Sequence, residues 1–248
     1  MMHKPSAVGL VLLAGLAILT LPAVAAPLPA TLAKALEGAE LDTQDGWAFR
    51  QTVKAEVMGK RAVTAVTRWD LSRPEGQQCT VVSLEVKGDD KDKAKDEDPC
   101  SEGHERETYG DLVALVNDAI VEKISETETV AEYRLVPRDA KRGFSMGGLH
   151  VDVGNDENSK SLTGTLKVAK TGAGAPYVET VSFRLKEPEG NLIAKLSKLD
   201  IVYTYAPDVA TGAKLMRGME LQMELTMLTA FDITTRVSAS FDEYRRLR

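Results

Sequence analysis

From Trp47 the chain alternates. Trp47, Phe49, Gln51, Val53, Ala55 and Val57 are separated by polar or small neighbours, Met58-Gly59-Lys60 interrupts, and Val63, Ala65, Thr67, Trp69 and Leu71 resume the period. A period of two sends successive side chains to opposite faces of a strand, so residues 47–71 predict an antiparallel hairpin with one wet face. Residues 79–86 predict a third strand. The same rhythm returns over residues 130–136, 149–153, 162–170, 177–186, 199–206, 216–228 and 233–241, with Gly, Pro and Asp clusters between them. This is the pattern of a meandering antiparallel sheet. Strands do not alternate with long helices, which argues against a parallel α/β fold.

Two stretches carry a helical period instead. Leu32, Ala35, Leu36 and Ala39 predict a short amphipathic helix over residues 31–41. Leu112, Leu115, Val116, Ala119 and Ile120 fall on one face of a second helix over residues 108–120, with Asp111, Asn117 and Asp118 on the other.

Before all of these lies a basic start (His3, Lys4), an apolar run from Ala7 to Leu21, and Ala23-Val24-Ala25. That order predicts a secretory signal over residues 1–25. Its apolar core falls short of the ~20 residues that span a bilayer, and no cysteine follows the cut to carry a lipid. Residues 26–248 are expected to form a single β-rich domain in the periplasm, with no transmembrane anchor after cleavage.

Charge and cysteines narrow the function. A net charge of −6 argues against nucleic acid, whose phosphates call for clustered Lys and Arg. The two cysteines, Cys79 and Cys100, lack the ligands or C-x-x-C spacing of a metal or redox pair. In an oxidising compartment they are expected to form a structural disulfide. The acids of residues 88–99 are interleaved with Lys91, Lys93 and Lys95 and lack the order of a calcium loop. That run and residues 155–158 read as solvated loop and turn.

Gly143-Phe144-Ser145-Met146-Gly147 matches G-x-S-x-G, but a nucleophile elbow needs a buried strand before the serine and a helix after it. Residues 138–142 are Arg-Asp-Ala-Lys-Arg, and a strand pattern follows, so the segment reads as a glycine-rich turn. His104 and His150 share no spacing with carboxylates that would mark a metal site. No catalytic residue, metal or cofactor is assigned.

The most unusual side-chain cluster is a row of methionines ending in Met227. On a strand, Met219, Leu221, Met223, Leu225 and Met227 share one face, with Gln222, Glu224 and Thr226 on the other. A continuous apolar stripe is not a set of convergent copper ligands. Either it is sheet core under the second helix, or it is a face that accepts varied apolar partners, for which flexible thioethers are suited.

The short helix after the signal, the opening Trp47-Ala48-Phe49-Arg50-Gln51-Thr52, the strand end Arg68-Trp69-Asp70-Leu71, the central helix and the long run of late strands together resemble the periplasmic lipoprotein-carrier superfamily, the LolA/LolB-like fold. The resemblance implies a mainly β fold. A curved antiparallel sheet forms an unclosed barrel, a few helices cover its concave side, and the cavity takes acyl chains. It also implies that Arg50 corresponds to a polar residue near that cavity. The expected function is non-catalytic binding or carriage of a lipid or lipoprotein acyl chain. The groove is expected to be lined by Met219, Leu221, Met223, Leu225 and Met227, with Trp47, Phe49 and Trp69 on facing strands. The alternative is an envelope protein that uses its sheet to engage another envelope protein and holds no small ligand.

Overall fold

The computed structural model describes residues 27–43, 46–88, 98–101, 107–138, 144–146, 149–151, 162–190, 194–227 and 231–247. The signal segment, most of the charged run over 88–99, His104 and residues 155–158 lie outside them. The N-terminal hairpin is β1 (Trp47–Val57) and β2 (Arg61–Asp70), followed by β3 (Cys79–Gly88). Next come β4 (Ala119–Glu126), β5 (Val130–Pro137), β6 (Phe144–Met146), β7 (Leu149–Val151), β8 (Leu162–Ala169) and β9 (Tyr177–Leu185). The chain closes with β10 (Glu189–Gly190), β11 (Ala194–Pro207), β12 (Lys214–Met227) and β13 (Phe231–Arg246). Two helices, α1 (Ala30–Ala35) and α2 (Asp111–Asn117), complete the set.

The protein is mainly β. Its strands form one unclosed antiparallel sheet in the order β3-β2-β1-β13-β12-β11-β9-β8-β5-β4, with β10 on β11; β6 and β7 pair separately. The last strand pairs with the first, so β13 lies between the N-terminal hairpin and β12. Met58 and Gly59, both at positive φ, are the central residues of the tight turn over residues 57–60 that joins β1 to β2, where the Lys60 amide donates to the Val57 carbonyl at 3.1 Å.

The core sits against one face. Leu32 and Ala35 of α1 and Leu112, Leu115 and Val116 of α2 are buried together with Leu135, Leu166, Val181, Phe183, Ile201 and Tyr203 from successive strands. The same cluster continues to Phe241, Phe49 and Trp69 at the N-terminal hairpin. One core reaching from β5 to β2 requires a sheet that curls around its helices, as strand twist favours.

Tyr109 is the hub of the cover. Its hydroxyl donates to the Ala35 carbonyl at 2.8 Å and accepts from the Val178 amide at 2.6 Å, while its own amide donates to Asp42 at 2.6 Å. Lys214 reaches from β12 to the end of α1, donating to the carbonyls of Ala35 and Glu37 at 2.7 and 2.6 Å. The Ala35 carbonyl is one of those that a helix C-terminus leaves unpaired.

Three expectations change. The helix over 31–41 breaks at Gly38, whose φ of +78° leaves the right-handed helix; Ala39–Leu41 is a separate 3-10 turn. The second helix ends at Asn117, and Ala119–Glu126 becomes edge strand β4, paired to β5. The segment expected to be a glycine-rich turn contains β6, so Ser145 stands opposite His150 in a short hairpin.

Candidate functional site

Register shows which residues share the inner face. Crossing from β1 through β13 and β12 to β11, Val53 meets Ala239, Met219 and Tyr203 in one row. Ala55, Val237, Leu221 and Ile201 form the next row, and Val57, Thr235, Met223 and Leu199 the third. Residues directly opposite in a ladder point to the same side, so the methionine stripe, the aromatic residues and the helices lie on one face.

That face has two ends. At the covered end Trp47, Phe49 and Trp69 are 1–4 % exposed. Trp47 and Phe49 pack on Tyr244 at ring separations of 6.0 and 5.9 Å, and Phe49 also meets Phe241. The Trp69 indole donates to Gln51 Oε1 at 3.1 Å and Thr67 Oγ1 at 3.0 Å. These three aromatic side chains are core in this conformation.

The methionine stripe crosses from one end to the other. Met219 and Leu221 pack against the core; Met223 and Leu225 are half-buried outside it, and Met227 is exposed. Helix α2 packs chiefly against β4 and β6, at a distance in the sheet from this lower half of β12. Two strands away, Val53, Ala55, Val63, Ala65 and Leu84 line a cavity of about 300 Å³, with Asp98 and Pro99 against it. The volume is at the lower end of ligand pockets, roughly 300–1,000 Å³. Gln51 and Thr67 give it a polar end. Ala239, Val237 and Thr235 of β13 join cavity and stripe into one apolar surface.

Cys79 and Cys100 are disulfide-bonded, with Cα atoms 5.7 Å apart. The bond ties the segment carrying Asp98 and Pro99 to β3, and this explains why those residues reach the cavity. Arg50 is not there. Alternation places Phe49 and Gln51 inside and Arg50 outside, where Asp242 holds its guanidinium through two contacts of 2.8 Å. The cavity residues of β1 and β2 were visible in the sequence as alternation, but nothing local marked them as a cavity. Their cover comes from a segment tied on by the disulfide.

Among the described residues no helix is long and apolar enough to cross a membrane. Comparisons with protein-family models, with curated proteins and with solved structures find no match to this chain.

Proposed function

We propose that this chain binds and carries an apolar ligand, the acyl chain of a lipid or lipoprotein, in the periplasm, without catalysis. The observation that carries the reading is the lower inner face. Rows of half-buried Val, Ala, Leu and Met lie outside the helical cover and lead into a cavity beneath Asp98 and Pro99. Burial of each methylene contributes ~0.8 kcal/mol, so an acyl chain laid along this surface needs few polar contacts. Methionines adapt to chains of different length and branching. The signal segment and the disulfide support an oxidising, exported setting.

The test is native mass spectrometry of the protein purified from its own periplasm. Lipid is expected to accompany the wild type and to be lost from Met223→Asp, with secretion and melting temperature largely retained. A wild-type protein that arrives empty, and stays empty when offered phospholipid, overturns the reading. A second reading, an envelope interaction protein, is favoured by the sheet edges. Val82 on β3 and Ile124 on β4 are about half exposed (53 % and 48 %) on strands that end the sheet. It predicts an empty protein that elutes as an assembly and dissociates when lysine replaces Val82 or Ile124.

A further inference from the structure

The opposite face carries a second cavity, of about 510 Å³, where β1, β2 and β13 end. Ala48 lies at its base, and the guanidinium groups of Arg50, Arg68, Arg73 and Arg245 surround it. Pairing gathers them. Arg50 stands directly opposite Arg68, and Ala48 stands between Asp70 on one neighbour and Arg245 on the other. Like charges directly opposite in a ladder repel, so this arrangement needs a reason.

Among the described residues two carboxylates line the cavity, Asp70 and Glu243, and both are shared. Glu243 bridges Arg50 at 2.6 Å and Arg68 at 3.0 Å. Asp70 accepts from Arg245 at 2.9 Å and from Ser72, with Arg73 further off at 3.8 Å. Asp242 holds Arg50 from outside the cavity. Glu243 itself sits at φ +50°, a conformation that disfavours residues with a Cβ, beside the register shift that lets Asp242 and Glu243 both reach Arg50. The acids therefore fix the arginines and leave a surplus of positive charge. The side chains of Arg68, Arg73 and Arg245 are more than half exposed and each has donors to spare.

We propose that this cavity binds a phosphate-bearing anion, with Arg68, Arg73 and Arg245 gripping its oxygens and Arg50 held behind them by Asp242 and Glu243. The planar guanidinium fork matches phosphate oxygens in pairs, and several forks around one cavity favour a group with more than one anionic oxygen. Gln78 and Thr80 add neutral polar groups at the wall. A lipid headgroup and a soluble phosphate present the same chemistry here. The site lies on the face away from the apolar groove, so it stands or falls independently of acyl-chain carriage.

The experiment uses the full exported chain at low salt. One arm titrates inorganic pyrophosphate by calorimetry; the other measures flotation with vesicles of phosphatidylglycerol and phosphatidylcholine against phosphatidylcholine alone. Saturable pyrophosphate binding is expected to weaken at least tenfold in the double variant Arg68→Gln, Arg73→Gln, and to weaken in wild type as salt rises. Binding to the anionic vesicles alone, lost in the same variant, assigns the phosphate to a headgroup. Arg73→Gln by itself, at a mostly exposed side chain, serves if the double variant misfolds, with about a threefold loss expected. No binding in either arm, or binding equal in wild type, variant and the distant control Arg134→Gln, overturns the proposal.

Discussion

Met216 and Met227 lie on the same strand, yet Met216 is fully buried and Met227 is 37 % exposed. The difference follows what stands opposite each end of the sheet. At one end two short helices, fixed by Tyr109 and Lys214, fill the inner face with leucine and aromatic side chains. At the other end no helix among the described residues lies over the apolar rows; the N-terminal hairpin, which runs through both ends, is held by its ladder hydrogen bonds, a disulfide and surface ion pairs. A helix of six or seven residues is marginal alone, so the covered end depends on packing. The bare end has surplus apolar surface, which is a cost in isolation and an advantage to a protein that binds something there.

The strongest way to break this contrast is to empty the covered end. Leu115 is 1 % exposed on α2, and Leu115→Ala is expected to cost about 4 kcal/mol, since the removed side chain leaves a void that short helices and strands cannot both close. Urea denaturation of the purified protein measures it. A loss below about 1 kcal/mol sinks the view that the helical cover carries the stability of this domain.

The N-terminal hairpin and β3 have their own staple, anchored at Cys79 opposite Trp69. Replacing Cys79 and Cys100 together by serine is expected to cost about 3 kcal/mol in the chain-entropy account of a loop this long. The loss should be local. Hydrogen exchange is expected to accelerate at the amides of β2 and β3 and to change little in β8 and β9. Uniform acceleration along the whole sheet contradicts a hairpin stabilised separately from the later strands.

Lys214 distinguishes the two ends by pH. Burial lowers its pKa, with Glu37 and Glu40 opposing the shift. The unfolded chain therefore binds more protons than the folded one between the folded pKa and the ordinary lysine value. Stability rises with pH across that window. The buried hydroxyls of Tyr109, Tyr203 and Tyr205 have raised pKa values for the same physical reason, burial. Their folded forms hold protons longer, so stability falls again above about pH 10, where unfolded tyrosines ionise. Melting temperatures across alkaline pH are expected to climb and then drop, and Lys214→Met is expected to remove the climb while keeping the drop. A climb that survives in Lys214→Met assigns it to another group.

Much of this division was legible as alternation and some of it was not. The strands of the N-terminal hairpin, the stripe over Met219–Met227 and the pairing of Cys79 with Cys100 all follow from local spacing and chemistry. Strand β4 was hidden because Ile120, Val121 and Ile124 continue a helical spacing from Val116; pairing with β5 overrides that local preference. Alternation with Phe49 and Gln51 already put Arg50 on the wet face, and only the resemblance placed it near the cavity. The cavity beneath Asp98 and Pro99 requires the segment tied on by the disulfide to reach β1, β2 and β3, and the arginine cavity requires β13 to lie beside β1, a contact between residues as far apart as Arg50 and Asp242. No periodicity reports such a pairing, and the end of the stripe left uncovered depends on it.

The smallest expected effect on stability is the most telling for function. Met223 is half-buried, opposite Leu199 and Thr235, and among the described residues no helix lies above it. Full burial of a methionine contributes ~1.5–3 kcal/mol, so Met223→Ala is expected to cost about 1 kcal/mol or less in the lipid-free protein. With an acyl chain bound, the same methionine gains a partner on its open side, and the cost of removing it rises. The difference is measurable as the melting temperature of wild type and variant, each with and without added phospholipid. Ligand binding stabilises the folded state by mass action, so the wild type is expected to gain more than the variant from the same lipid concentration. Equal gains place the lipid elsewhere on the molecule. A large loss in the lipid-free variant marks Met223 as ordinary core and removes the distinction between the two ends.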